Sequence, residues 1–169
     1  MRRPVFLLLL ILLQITLPVK LSGQKPDYRL FDNISLGTEA SVINCFLQDT
    51  QGLIWIGSNK GLFSYDGYST QPHFTFAKRN NTQIYCGTVV DSTYLYLGAD
   101  NGLLVYNYRT DTYEEPETQL PTDIRALLVH DGMLWLGTLN GLYTYSLNDH
   151  QLSAVTEGIP HPTIYSLIP

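Results

Sequence analysis

The chain has 169 residues, of which 44% are hydrophobic and 15% are charged. That apolar content is too high, and the charge too modest, for an intrinsically disordered chain. The net charge of −5 argues against a nucleic-acid-binding domain, because such a domain needs clustered lysines and arginines to displace the counterions of phosphates. It also disfavours a domain that docks on an anionic membrane surface.

The first 23 residues have the order of an export signal. Arg2 and Arg3 form a short basic region, residues 5–17 are almost wholly apolar, and small residues end at Gly23, as in a secretory signal peptide. A membrane-spanning helix needs about 20 apolar residues, so an uncleaved anchor is the less favoured alternative. Residues 1–23 hold three of the ten basic side chains and none of the fifteen acidic ones, so the mature part would carry a net charge of −8.

Beyond a short lead-in, the sequence repeats with a period of about forty residues. The repeats begin at isoleucines spaced by 41, 40 and 40 positions: Ile43, Ile84, Ile124 and Ile164. In the first three copies a polar turn follows, then an aromatic residue, a glycine two positions later and a second glycine four positions beyond the first. The aromatic column is Trp55, Tyr96 and Trp135, the first glycine column is Gly57, Gly98 and Gly137, and the second is Gly61, Gly102 and Gly141.

Each copy is predicted to form a four-stranded antiparallel sheet. The apolar runs are short, rich in β-branched and aromatic residues, and separated by turn residues about every 8–12 positions, which indicates strands and not helices. The pairs Asn101–Gly102 and Asn140–Gly141 predict hairpin turns whose two central residues both have positive φ, and Asp131–Gly132 predicts another tight turn. Four-stranded sheets repeated about every 40–45 residues are typical of a β-propeller.

The predicted fold is therefore an all-β partial propeller with about three blades and the first strand of a fourth. The aromatic column would pack one blade against the next, and the first glycine column would leave room where neighbouring backbones approach. Closed propellers have about four to eight blades, so we expect an amino-terminal piece of a longer protein, or a truncated gene product. The predicted segments are a signal peptide (1–23), a lead-in with an outer latch strand at 28–31 (24–41), blade 1 (42–81), blade 2 (82–121), blade 3 (122–162) and the start of blade 4 (163–169).

Residues 43–67, 84–106 and 124–145 resemble the two-component regulator propeller repeat, the second copy less closely because Tyr96 replaces the tryptophan. With the lead-in, they are similar to the start of hybrid two-component sensors of gut Bacteroides-type bacteria. The resemblance implies an exported, periplasmic sensor region that senses oligosaccharides or related glycans. In the full-length family it precedes an inner-membrane helix, a cytoplasmic histidine kinase, a receiver and a DNA-binding region, and the resemblance also implies a homodimer.

Few side chains suggest chemistry. The histidines occupy unrelated positions of the repeat without the spacing of metal ligands, so no metal or cofactor is predicted; they are His73, His130, His150 and His161. No nucleophile motif is present, so no catalytic residue is predicted, although the order of residues leaves Ser/His/Asp catalysis open.

Cys45 and Cys86 each lie two residues after an isoleucine anchor, so they hold the same column on adjacent blades. An exported location allows a disulfide, but the bond needs Cα atoms within about 7 Å, and equivalent positions on neighbouring blades can be farther apart. The favoured interpretation is a pair of small side chains near the crowded axis, and a disulfide is the alternative.

Aromatic residues outside the repeat columns are the better candidates for contact with a sugar: Tyr68, Tyr108 and Tyr113. The leading hypothesis is a ligand-sensing propeller fragment without catalysis, whose partners are the remaining blades of the parent chain and an oligosaccharide. One alternative is a fragment of an exported propeller enzyme, such as a polysaccharide lyase or glycosidase. Another is a structural module that pairs with an exported protein.

Overall fold

The structure is a computed structural model that describes residues 34–36, 42–73, 82–114 and 120–169. The predicted signal peptide and the predicted latch strand at residues 28–31 lie outside the described residues. In the described ranges all regular structure is β-strand. No helix among these residues is long and apolar enough to cross a membrane.

The described strands form three antiparallel sheets, each made of four consecutive strands, which we call blades 1, 2 and 3. Blade 1 contains β1 (Ile43–Gln48), β2 (Ile54–Ser58), β3 (Gly61–Tyr65) and β4 (Thr70–Pro72). Blade 2 contains β5 (Ile84–Val89), β6 (Tyr94–Ala99), β7 (Gly102–Asn107) and β8 (Thr112–Glu114). Blade 3 contains β9 (Ile124–His130), β10 (Met133–Thr138), β11 (Gly141–Ser146) and β12 (Leu152–Val155). The all-β fold with three four-stranded blades is confirmed.

The turn between the two central strands of blade 2 differs from the prediction. Ala99 pairs with Gly102, so the central turn residues are Asp100 and Asn101. Gly102 has a φ of +123°, whereas neither Asp100 nor Asn101 has positive φ. The glycine therefore lies one position after the turn, as the first residue of β7, and the predicted placement of two positive-φ residues at the turn centre is wrong.

The equivalent turn of blade 3 differs from the prediction in the same way. Thr138 pairs with Gly141, and Thr138 Oγ1 accepts the N–H of Asn140 at 3.0 Å while its hydroxyl donates to the carbonyl of Gly141 at 2.9 Å. A hydroxyl that bridges the turn in this way stabilises an ordinary turn, and the positive φ is left to Gly141, at +140°. The predicted pair of positive-φ residues at Asn140–Gly141 is therefore wrong as well.

The turn between β9 and β10 is the tight turn that the sequence predicts. His130 pairs with Met133, so Asp131 and Gly132 are its two central residues. Their φ values are +49° and +75°, which is the left-handed pair that a two-residue hairpin of this type requires.

Consecutive blades meet where an isoleucine anchor packs on the first glycine column of the preceding blade. A Cβ placed on Gly57 would lie 2.7 Å from Ile84 Cγ2, and one on Gly98 would lie 2.7 Å from Ile124 Cγ2. Real Cβ atoms do not approach so closely, because interiors are already close-packed. Glycine is therefore the side chain that lets the next blade approach.

The same contact occurs a third time at the carboxyl-terminal end. A Cβ on Gly137 would lie 2.6 Å from Ile164 Cγ2, and the N–H of Ile164 donates to the carbonyl of Thr138 at 2.8 Å. Residues 163–169 thus lie where the first strand of a fourth blade begins. Among the described residues they form no strand ladder.

The hydrophobic core lies between the blades. One buried cluster joins Trp55 and Leu62 of blade 1 to Leu95, Leu97 and Tyr106 of blade 2. A second cluster joins blade 2 to blade 3; its members include Tyr96, Leu103, Val105, Ile124, Leu134, Leu136 and Tyr145. Since blade 2 contributes to both clusters, the stability of one blade depends on its neighbours.

Candidate functional site

A cleft of about 570 Å³ opens where blade 1 meets blade 2. The lining residues that matter for its chemistry are Trp55, Ser64, Asp66, His73, Tyr108 and Arg109. The first four belong to blade 1 and the last two follow β7 of blade 2. Because residues of both blades line the cleft, the packing of the blades determines its shape.

Trp55 forms the inner wall of the cleft and is held by the turn that follows β1. Its indole N–H donates to Asp49 Oδ2 at 3.0 Å. The other carboxylate oxygen of Asp49 accepts the backbone N–H groups of Gln51 and Leu53 at 2.8 and 3.0 Å. Trp55 is only 2% exposed, and its ring lies 5.8 Å from that of Tyr108 across the blade boundary. The side chain is therefore fixed from both sides.

His73 links the two blades through a chain of hydrogen bonds. Its Nε2 lies 2.8 Å from Ser64 Oγ, and its Nδ1 lies 3.0 Å from Asp111 Oδ1. The hydroxyl of Tyr106 lies 2.8 Å from the same Nδ1 and donates to Asp111 Oδ1 at 2.5 Å. Since an ionised carboxylate only accepts hydrogen bonds, we assign a proton to Nδ1, and in the neutral imidazole Nε2 then accepts the hydroxyl of Ser64.

Two carboxylates at this site are stabilised in the ionised form. The pKa of Asp111 lies below its ordinary value of 3.8 because the Tyr106 hydroxyl, and then His73, donate to it. The pKa of Asp66 is also lowered, by the backbone N–H groups of Ser69 and Tyr68. Burial, and then the hydrogen bond with Asp111, raise the pKa of Tyr106, so its phenol stays protonated.

Arg109 is the cation of the cleft. Its Nε donates to the carbonyl of Ser92 at 2.9 Å, and its Nη2 donates to Ser92 Oγ at 3.2 Å. These bonds fix the orientation of the guanidinium at the rim of the cleft.

Of the three tyrosines proposed as ligand contacts, Tyr108 lines the cleft and donates its hydroxyl to the carbonyl of Asp91 at 3.2 Å. Tyr68 is 96% exposed, on the turn that Asp66 stabilises. Tyr113 is half-buried; its hydroxyl donates to the carbonyl of His73 at 3.0 Å and its ring packs against that of Tyr106 at 4.8 Å. The structure does not bring these three rings together at one place.

Sequence reasoning missed the Ser64–His73–Asp111 chain, because none of these residues belongs to a repeat column. One signal could have identified Asp111. Asp111 follows Tyr106 by five residues, and His150 follows Tyr145 by the same number. Asp111 and His150 both have positive φ, at +53° and +59° respectively. Tyr145 and His150 are also hydrogen-bonded, at 2.9 Å, so in both blades the residue five positions after this tyrosine is its polar partner.

The aromatic column contributes differently along the chain. Trp55 and Tyr96 are buried in the clusters between blades. Trp135 is half-buried and lines a second, smaller cleft of about 300 Å³ together with Leu167 and Ile168.

Cys45 and Cys86 are free thiols in the structure. Each pairs across its sheet with a glycine of the first column, Gly57 and Gly98 respectively. Burial raises the pKa of Cys45 to about 11 and that of Cys86 to about 12, and in Cys86 the nearby Cys45 adds to the effect. The pair of small side chains stays the favoured interpretation and the disulfide stays the alternative.

The other histidines lie apart from the cleft. His130 contacts Asp131 at 3.3 Å on the surface, and His161 Nδ1 accepts the N–H of Thr163 at 3.2 Å. Within the part of the chain that the structure describes, no three His, Cys, Asp or Glu side chains gather as a metal ion would require.

Comparison with known proteins places these observations in a family context. The family model of the two component regulator propeller matches residues 37–60. No curated protein sequence matches the chain. A solved structure described as the extracellular domain of a hybrid two component system, BT4673 from B. thetaiotaomicron, is 64% identical over 80% of this chain, with a TM-score of 0.75.

Two further solved structures are similar. One is also the extracellular domain of BT4673, there described as a one component system; it is 63% identical over 84% of this chain, with a TM-score of 0.78. The other is the extracellular domain of the hybrid two component system BT3049 from the same organism, 16% identical over 79% of this chain, with a TM-score of 0.64; it shows the fold alone. The chain spans about a fifth of each solved extracellular domain: 19%, 20% and 22%. The resemblance to propeller repeats of hybrid two-component sensors is thereby confirmed.

Proposed function

We propose that the chain is part of the exported, ligand-sensing propeller of a two-component signalling protein. The observation that carries this proposal is the 64% identity to an extracellular domain of such a system over 80% of the chain. The basic and apolar order of residues 1–23 supports export to the periplasm. The alternative description of the same relative as a one component system leaves the kind of signalling output to be tested on the parent protein.

We further propose that the ligand is a glycan, bound without chemical change. The cleft between blades 1 and 2 has a volume of about 570 Å³, within the range of about 300–1,000 Å³ typical of small-molecule sites. An aromatic wall beside a few polar groups is the combination by which such sites hold and orient a ligand.

The remaining blades of the parent chain are the proposed structural partners. Blade 1 leaves Val42, Ile43 and Phe46 exposed at 57%, 45% and 64%, and Ile168 is 83% exposed at the other end. Apolar groups exposed side by side usually mark an interaction surface, and further blades would cover them. An inner-membrane anchor and a homodimer of the parent belong to the same proposal.

Thermal denaturation of the chain in the presence of soluble oligosaccharides tests the sensing proposal. A ligand that binds the folded state raises the melting temperature in proportion to the logarithm of its concentration. We expect at least one neutral oligosaccharide to do so. A chain that no glycan stabilises would contradict the proposal.

Amino-terminal sequencing of the periplasmic protein tests export, with Gln24 as the expected first residue.

A hydrolase is the second candidate function, favoured by one observation. Ser64 Oγ, the imidazole of His73 and the carboxylate of Asp111 are joined by contacts of 2.8 and 3.0 Å, the order of groups that activates a serine. Ser64 would attack an ester carbonyl and pass its proton to His73 Nε2, the leaving alcohol would take that proton, and water would release the acyl group.

The sensing proposal is preferred. The hydrogen bonds among Ser64, His73 and Asp111 hold blade 1 and blade 2 together, and this structural role explains the three residues without a reaction. Incubation with acetylated and unsubstituted polysaccharides discriminates the two. Release of acetate by the wild type, lost in Ser64→Ala, would favour the hydrolase, whereas release of reducing ends would indicate glycosidic cleavage by other residues. The sensing proposal predicts neither product.

A further inference from the structure

The aromatic wall, the polar groups and the charges of the cleft between blades 1 and 2 indicate which kind of glycan it binds; this rests on the proposed function. We infer that this cleft binds a neutral saccharide of one or two rings against the face of Tyr108, and that uronic and sulfated sugars are rejected. The similarity to known sensors gives neither the position at which the ligand binds nor the charge of the ligand.

The aromatic wall supports a ring-shaped ligand. Tyr108 is half-buried, and its hydroxyl is bound to the carbonyl of Asp91 at 3.2 Å, so the ring is held at a fixed place at the cleft. Trp55 supports it from behind, with ring centroids 5.8 Å apart. A rigid aromatic face binds the apolar face of a sugar ring at little cost in conformational entropy, because no loop has to become ordered.

The polar groups of the cleft suit hydroxyl groups. The side chains of Gln51 and Gln71, both exposed and both in the cleft lining, carry carboxamides that donate and accept hydrogen bonds. The hydroxyl of Ser69 adds a third such group to the lining. A sugar hydroxyl also donates and accepts, so these groups match it without a change of charge.

The charges of the cleft disfavour an anionic ligand. Asp49 and Asp66 place two carboxylates in the lining, against the single guanidinium of Arg109. Arg109 already donates two hydrogen bonds to Ser92, and Asp66 is held ionised by backbone N–H groups. A carboxylate or sulfate on the ligand would meet two carboxylates and one guanidinium, a net negative charge that repels it.

The two indole N–H signals of the chain provide a direct test by ¹H–¹⁵N NMR. Trp55 lines this cleft and Trp135 does not, so Trp135 is an internal reference. We expect cellobiose, lactose or maltose at roughly 10 mM to shift the Trp55 signal and leave the Trp135 signal in place. Glucuronic and galacturonic acid should shift neither signal.

Two tyrosine variants discriminate the cleft from another saccharide site. Tyr108→Ala should weaken binding about tenfold, the equivalent of one lost aromatic contact, with the Trp135 signal unchanged as evidence of folding. Tyr68→Ala is the matched control, because Tyr68 is 96% exposed and lies outside the lining; its affinity should equal that of the wild type.

The outcomes separate this inference from the proposed function. A saccharide that raises the melting temperature but leaves the Trp55 signal unchanged would overturn the inference alone, as would a loss of affinity in Tyr68→Ala but not in Tyr108→Ala. Binding restricted to the uronic acids would overturn the assignment of charge. If no glycan stabilises the chain at all, the proposed function fails as well.

Discussion

At the scale of single residues, Trp55 shows how one side chain serves both the fold and the site. Its indole N–H is bound by Asp49, and its ring packs against His73 at 5.0 Å and against Tyr106 at 5.4 Å. The first contact fixes the turn after β1, the contact with His73 lies within blade 1, and the contact with Tyr106 joins blade 1 to blade 2. The repeat places the same type of residue at Trp135, where fewer neighbours cover it.

Replacing each tryptophan by alanine should therefore have unequal effects. Trp55→Ala removes a ring that is 2% exposed and should lower the free energy of unfolding by about 3–5 kcal/mol, as is usual for a large buried ring. Trp135→Ala should cost clearly less, because Trp135 is only half-buried. Urea denaturation followed by far-UV circular dichroism measures both, and equal losses would contradict the assignment of Trp55 to a packed blade interface.

Asp111 should make the stability depend on pH in the acid range. Its pKa is lowered in the folded state, so its stabilising contribution is complete above the ordinary value of 3.8 and is lost as the pH falls through the lower, folded value. Asp111→Asn removes the ionisation with little change in shape. The difference in melting temperature between wild type and variant should be constant above about pH 5 and shrink below pH 3.8. A difference that persists unchanged into that acid range would refute the assignment.

The two thiols should be unreactive in the folded chain. Burial raises the pKa of Cys45 to about 11 and that of Cys86 to about 12, so almost no thiolate is present at pH 8. We expect iodoacetamide to modify neither cysteine in buffer and both in urea, without prior reduction. Modification only after reduction would instead reveal the disulfide.

At the scale of elements, the first glycine column determines how closely one blade approaches the next. At Gly98 a Cβ would lie 2.5 Å from Cys86 Sγ and 3.0 Å from the backbone oxygen of Ile124. The backbone atom cannot move without displacing β9. At Gly137 the atoms met are side-chain carbons of Ile164 and Ala126.

Alanine substitutions at these two glycines test this difference. Gly98→Ala should lower the free energy of unfolding by about 1–3 kcal/mol, the usual cost of overpacking. Gly137→Ala should cost less, because Ile164 lies in residues 163–169, which form no strand ladder and can shift with little loss of other contacts. Urea titrations of both variants provide the comparison, and an unchanged midpoint for Gly98→Ala would show that the blades are not in this contact.

The elements were largely predictable from the sequence, because each strand and turn is determined by a local pattern that occurs three times. The Asp131–Gly132 turn followed from its two residues. The Asn101–Gly102 turn did not, because its register depends on which residues pair across the sheet. The cleft could not be predicted either: Ser64, His73 and Asp111 are separated along the chain, and only the packing of blade 2 on blade 1 brings them together. Tyr108 was identified as a ligand candidate from the sequence, whereas its place in the cleft is known from the structure alone.

At the scale of the whole molecule, the account depends on one contact made three times. Ile84, Ile124 and Ile164 each pack on a glycine of the preceding blade, at separations that leave no room for a side chain. Blades 1, 2 and 3 therefore follow one another by the same step, and Ile164 begins the next. The cleft exists because of this step, since residues of two consecutive blades line it.

Methyl-resolved NMR of the isotopically labelled chain tests that arrangement most directly. The account predicts nuclear Overhauser effects from the γ2 methyl groups of Ile84, Ile124 and Ile164 to the Hα protons of Gly57, Gly98 and Gly137, respectively. Absence of these cross-peaks in a chain whose strands are otherwise formed, or contacts of the methyl groups with other glycines, would contradict it.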